Sequence, residues 1–191
     1  MIYNILIVGV GGQGTLLASR VLGNFAVDMD YDCKLSEVHG MSQRGGSVVT
    51  HVRMGDESIH SPIVPQGEAD IIIAFEKLEA MRWRHYLKKD GMIVVNDQEI
   101  MPMPVITGAR VYPHTVIDDM KSEGFNVLVV DAFKIAEELG STKAVNTIML
   151  GALAKNLRFD YAKFESALKR TVPPKFLEMN VSAFEKGYFG K

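Results

Sequence analysis

Two short stretches hold the side chains able to bind or move charge. The first, Gly9-Val10-Gly11-Gly12-Gln13-Gly14-Thr15, follows the apolar run Ile5–Val8 and precedes leucines at helical spacing. It fits G-x-G-x-x-G, a turn between a buried strand and a helix. Its glycines permit positive φ, close approach of a phosphate to backbone N–H groups, and tight packing of helix on strand. The free N–H groups and positive dipole end of the new helix would face an anion. Two readings stay open: a phosphate or dinucleotide site, or the turn of a Rossmann-like domain that binds nothing. A dinucleotide site also requires an Asp or Glu about 20 residues on, at the end of the second strand. Asp28, Asp30 and Asp32 lie in the turn leading into that strand rather than at its end, and Glu37 is better placed but opens the second unusual stretch.

That second stretch runs from Glu37 to Gly46 and reads as a loop. It gathers Glu37, His39, Ser42, Gln43 and Arg44 between Gly40, Gly45 and Gly46, so many directional polar groups sit on a backbone free to present them. A contact surface is the functional reading. The planar fork of Arg44 suits a carboxylate or phosphate, and His39 can donate a hydrogen bond or move a proton near neutral pH. The alternative is that Arg44 ties the loop to its own domain. Elsewhere the chemistry is thin. The histidines, His39, His51, His60, His85 and His114, lack metal-ligand spacing, so no metal site is expected. Ser42 has no G-x-S-x-G around it, and Cys33 reads as a small buried apolar residue. A single cysteine forms no internal disulfide and cannot supply the four thiolates of an iron–sulfur cluster.

The elements that must position these stretches follow from periodicity. Ile5–Val8 is a first strand, and a helix starts near Gln13 and runs to about Val27. Tyr31–Leu35 reads as the second strand. Ser47–Met54 alternates faces, and two strands about Gly55 would make a hairpin ending at Ser61-Pro62. Asp70–Phe75, an amphipathic helix Glu76–Lys88, and Gly91–Asn96 form a strand-helix-strand unit. Pro102 and Pro104 mark a loop, Ala109–Tyr112 and Asn126–Val130 read as short strands, and Thr115–Ser122 as a helix between them. From Asp131 onward the pattern is helical throughout, over Ala132–Leu139, Ala144–Leu157, Tyr161–Lys169 and Pro174–Lys186. The fold class expected is α/β: a Rossmann-like, mainly parallel sheet with helices on both faces, an inserted β-hairpin and a helical C-terminal third.

Composition narrows the classes. With 191 residues, 47% of them hydrophobic, and no linker or repeat, one domain spanning 1–191 is expected. A net charge of -2 without a basic cluster argues against nucleic acid. No run of 18 apolar residues and no export signal appears, so no membrane is expected and the setting reads as cytoplasmic and reducing. The eleven methionines are mostly core filling.

Three segments together resemble a known family: Gly9-Val-Gly-Gly-Gln-Gly-Thr15, Glu37-Val-His-Gly-Met-Ser-Gln-Arg-Gly-Gly46, and Asn146-Thr-Ile-Met-Leu-Gly-Ala-Leu153. They are similar to the γ-type subunits of 2-oxoacid:ferredoxin oxidoreductases, and within that family to the branch acting on indolepyruvate and other aryl 2-oxoacids. The resemblance spans nearly the whole chain, and the second segment is its most specific part. It implies an enzyme complex that decarboxylates a 2-oxoacid, transfers the acyl group to coenzyme A and reduces ferredoxin. Thiamine diphosphate, Mg and 4Fe-4S clusters are then expected on a larger catalytic subunit. This chain would bind no cofactor firmly, act as an accessory to that partner, and be able to form a homodimer when isolated. A γ subunit for pyruvate, 2-oxoglutarate or branched-chain 2-oxoacids, a free-standing NAD(P)- or flavin-binding protein, and a regulatory or scaffolding domain remain as alternatives.

Overall fold

The computed structural model describes residues 1–40 and 45–190. Its centre is β1 (Ile2–Val10), longer at both ends than the apolar run alone. Ile5, Leu6, Ile7 and Val8 have no exposed surface because both faces of β1 are covered. Ile5 and Ile7 join a large cluster with Phe25, Phe164 and Phe184, whereas Leu6 and Val8 join a smaller one with Ile72, Ile93 and Met120. A strand buried on both sides has no polar face to show, so it reads as a continuous apolar run.

Six strands occur among the described residues. To β1 are added β2 (Asp32–His39), β3 (Ser47–Gly55), β4 (Ala69–Ala74), β5 (Leu87–Asn96) and β6 (Val127–Val130), in the order β2-β3-β1-β4-β5-β6. β1, β4, β5 and β6 run parallel, and β3 is antiparallel to both β1 and β2. The expected mainly parallel α/β sheet is present, and its hairpin is β2–β3. The second strand expected just after Gly55 is absent, and the next one begins at Ala69. The chain in between is held by side chains: Ile59 N–H donates to Asp32 Oδ2 (2.8 Å), and Val64 N–H to His51 Nδ1 (3.2 Å). Pro62 and Pro65 have no N–H to give a ladder.

The larger cluster is covered by α1 (Thr15–Asp28), α5 (Ala132–Glu138), α6 (Val145–Asn156), α7 (Tyr161–Thr171) and α8 (Leu177–Phe189). α2 (Lys77–Trp83) and α4 (Val116–Ser122) cover the other face. Residues Val145 through Ala154 are all buried, so α6 is enclosed on every side, with Asn146 and Thr147 its only polar side chains in that stretch. α8 crosses it closely: a Cβ on Gly151 would stand 2.3 Å from the Phe184 carbonyl oxygen, which explains a glycine inside that helix. The last helix starts later than Pro174, after a short 3₁₀ turn at Pro174–Phe176.

Three further expectations are corrected. The helix expected to run to Lys88 ends at Trp83 and passes through a 3₁₀ turn into β5, because Leu87 already pairs with Ala69. Ala109–Tyr112 is not a strand; it belongs to a loop containing the single-turn helix α3 (Met103–Ile106). Glu37, Val38 and His39 lie on β2 rather than in a loop, paired with Thr50, Val49 and Val48, since the β-branched start of β3 requires a partner strand. No helix among the described residues is long and apolar enough to cross a membrane.

Candidate functional site

At the C-terminal end of β1 the chain turns through Gly11 to Gly14 into α1. Two turn N–H groups are used internally: Gly11 N–H donates to the Gly46 carbonyl (2.9 Å) and Gln13 N–H to that of Val10 (3.2 Å). The Gln13 side chain braces the turn. Its Oε1 accepts from Val10 N–H (2.7 Å), and its Nε2 donates to the Phe75 carbonyl (3.0 Å) and to Gln98 Oε1 (3.2 Å). Asn96 completes the network, donating to Phe75 O and Gln98 Oε1 and accepting from Ala132 N–H. The amides therefore lock together the ends of β1, β4 and β5 and the start of α5. Such a fully satisfied polar network fixes geometry more than it adds stability.

Gly14 adopts φ +85°, a left-handed conformation that favours glycine. Its packing partner is α6 rather than β1: a Cβ there would meet Asn146 Nδ2 at 2.5 Å. Asn146 also donates to the Gly14 carbonyl (3.4 Å). The third family segment thus bears directly on the first. Gly12, at φ +103°, has open space where a Cβ would be, so the turn can be approached there. Neither a side-chain cap nor an acidic residue occupies the first turn of α1, which leaves that end suited to an anion.

Two clefts flank the turn. One of about 460 Å³ lies between Gly12, Gln98, Ile100, Phe133, Lys143 and Asn146. The other, about 470 Å³, brings Gly11, Gly12, Thr15 and Leu16 against Glu37 and His39. Glu37 accepts a hydrogen bond from the Thr50 hydroxyl (3.3 Å), and His39 Nδ1 lies 3.1 Å from the Gly40 carbonyl. The first two sequence segments thus share one cleft. Ser42, Gln43 and Arg44 lie outside the described residues.

Beneath this edge sit two buried carboxylates that sequence reasoning did not single out. Glu76 caps α2, accepting from Glu79 N–H (2.9 Å), Ile100 N–H (3.2 Å) and the Tyr112 hydroxyl. Burial pushes the Glu79 carboxyl above its usual range, against the opposing pull of the Ser47 hydroxyl and Arg82. Glu76, Asn96 and Gln98 share one signal, a polar residue at or just past the C-terminal end of an apolar run, Ile71–Phe75 or Met92–Val95. Cys33 is half-buried, with its thiol pushed up to about 11 by burial and then by Asp32, so it is no ready thiolate. One cysteine does not fit an iron–sulfur cluster, and the described residues contain no grouping of His, Cys, Asp and Glu that would hold a metal ion.

Fold and edge together define a Rossmann-like α/β domain with a braced glycine turn and a polar edge at the C-terminal ends of its parallel strands. Residues 4–189 match the family described as pyruvate ferredoxin/flavodoxin oxidoreductase, and the chain belongs to that family. It is 41% identical over 192 residues to the indolepyruvate oxidoreductase subunit IorB of Thermococcus kodakarensis, covering 97% of this chain and 94% of the relative. Among solved structures, the γ subunit of a keto/oxoacid ferredoxin oxidoreductase from Geobacter sulfurreducens superposes with a TM-score of 0.72 at 22% identity, covering 98% of this chain and 96% of that one. The 2-oxoglutarate:ferredoxin oxidoreductase of Magnetococcus marinus reaches 0.76 at 18% identity, covering 97% of this chain but only 30% of the other. The same fold thus occurs both as a chain of this size and as one part of a much longer polypeptide.

Proposed function

We propose that this chain is the smaller subunit of an indolepyruvate:ferredoxin oxidoreductase, which decarboxylates aryl 2-oxoacids to acyl-coenzyme A and passes the electrons to ferredoxin. The observation that carries this reading is the near-full-length likeness to an indolepyruvate oxidoreductase subunit. The convergence of its three segments on one edge supports it: the glycine turn, the Glu37–His39 strand end and Asn146 meet there. Thiamine diphosphate, Mg and 4Fe-4S clusters belong on a larger catalytic subunit, where the thiazolium supplies carbanion stabilisation and the clusters carry electrons.

The residues of this chain then position and neutralise. The open side of Gly12 and the uncapped start of α1 receive an anionic group, such as a phosphate of coenzyme A. Glu37 and His39, with Ser42, Gln43 and Arg44 beyond them in sequence, face the partner's active site, where Arg44 clamps a carboxylate or phosphate. Gln13 holds Gly9 to Thr15 in the shape this requires.

The test is to coexpress the chain with its larger subunit and follow anaerobic ferredoxin reduction. Indolepyruvate, pyruvate, 2-oxoglutarate and 2-ketoisovalerate are compared, with and without coenzyme A. Turnover that needs both chains and coenzyme A and is fastest with indolepyruvate is expected. A larger subunit fully active alone would refute the accessory role, and preference for a small aliphatic 2-oxoacid would move the chain to another branch of the family.

A further inference from the structure

Between Ile100 and Tyr112 the chain leaves the sheet edge and returns, and both feet of this strap are pinned to one carboxylate. Glu76 Oε1 accepts from Ile100 N–H (3.2 Å) and from the Tyr112 hydroxyl. The near foot is further tied down: Lys77 Nζ pairs with Asp97 (2.6 Å) and Glu99 (3.4 Å), and Glu99 accepts from His114 (2.9 Å). The tip closes on itself, with Ile106 N–H donating to the Pro102 carbonyl and Arg110 N–H to that of Pro104. The loop is therefore preorganised, a compact Ω-type excursion.

The tip faces water with the wrong chemistry for water. Met101 is 38% exposed, Met103 65%, Ile106 64% and Val111 87%, and α3 makes no substantial contact with another helix or strand. Arg110 is the one charged residue from Ile100 through Val111, and it has no ion-pair partner among the described residues. A preformed apolar projection avoids the entropy of ordering on binding, which marks it as a contact surface.

We infer that this strap inserts into an apolar groove, rimmed by carboxylate to meet Arg110, on the larger catalytic subunit; the inference rests on the function proposed above. Area decides between that occupant and a second copy of this chain. The four side chains expose on the order of 500 Å² of apolar surface, well short of the ~800 Å² per partner that a stable interface buries. Strap against strap would bury little more. A larger subunit reaching from the strap across the turn would also cover Leu16 and Val38, 49% and 51% exposed on the same edge. Continuity supports this: Ile100 and Gln98, at the root of the strap, line the same cleft as Gly12.

The experiment compares wild type with Met103→Asp/Ile106→Asp, both in the full chain, for binding to the larger subunit by titration and size exclusion. The melting temperature of each isolated chain is measured alongside. Wild-type assembly with binding weakened about thirtyfold or more in the variant, at unchanged melting temperature, is expected. If the variant melts early, replacing residues 102–109 with a short Gly-Ser turn provides the same comparison. Equal binding by wild type and variant overturns the strap's role and leaves the proposed function standing. Failure of wild type to assemble overturns both. Loss of self-association by the isolated variant, with the complex unaffected, names a second copy as the occupant and overturns the inference.

Discussion

Replacing Gly14 with alanine separates two costs that the turn imposes on any side chain. At φ +85° the left-handed backbone conformation costs an L-residue roughly 1–2 kcal/mol. The new methyl would also stand 2.5 Å from Asn146 Nδ2, so the Asn146 side chain must shift and give up its hydrogen bond to the Gly14 carbonyl. Overpacking of this kind costs about 1–3 kcal/mol, so Gly14→Ala should lose roughly 2–5 kcal/mol. Gly12→Ala is the control. Its φ of +103° is equally unsuited to alanine, but nothing lies within 4 Å of the added methyl, so only the backbone cost applies. Urea unfolding of the isolated chain reads the difference. With m about 2 kcal/mol/M, the Gly14→Ala midpoint should fall by about 1–2.5 M, clearly further than that of Gly12→Ala. Adding Asn146→Ala to Gly14→Ala should recover part of the loss, a coupling that additive mutations would not show. Equal effects of the two glycine substitutions would refute the contact between turn and α6.

Two further outcomes follow from buried titrating groups. Burial lowers the His51 pKa below its usual 6.5, and Nδ1 is already accepting from Val64 N–H. As pH falls below about 6.5 the unfolded chain takes up a proton that the folded chain refuses. This part of the stability is thus complete above that pH and is lost on acidification toward the folded pKa; His51→Gln should flatten the urea midpoint between pH 5 and 7, and an unchanged slope would contradict it. Cys33, with its thiol near 11, should react with Ellman's reagent at pH 8 on the order of a hundredfold more slowly than free cysteine until the protein is unfolded. Labelling of the native chain at the free-cysteine rate would show the thiol to be accessible and ionised.

The sequence announced its centre more clearly than its edges. Ile5–Val8 and the buried α6 were legible because elements enclosed on all sides are mostly apolar, and the glycine turn because its glycines sit at fixed spacing between strand and helix. β2 was cut short at Leu35 because an edge strand half in water reads Ser36-Glu37-Val38-His39, polar enough to pass for loop. The segment after Gly55 was read as a strand because alternation alone cannot tell a ladder from a stretch held by His51, Asp32 and Arg53 side chains. At the site, Glu37, His39 and the turn were found by residue type, and the structure brings them to one cleft. The amide network was invisible, since Gln13 reaches Phe75 and Gln98 across 62 and 85 residues of sequence. No local pattern carries such a pairing.

The position of β1 has a consequence for how the chain comes to be folded. Its neighbours are β3 on one side and β4 on the other, and β4 ends at Ala74. At roughly 5–20 residues per second, the interval between making Val10 and making Ala74 is about 3–13 s. For that time Ile2–Val10, whose Ile5–Val8 run is fully buried in the finished molecule, has at most one edge paired. A nine-residue apolar strand with open edges is the kind of segment that seeds intermolecular pairing. Yield in a cell therefore depends on how quickly residues 47–74 follow and are delivered to it, and conditions that slow elongation over that stretch should favour inclusion bodies even when the finished domain is stable.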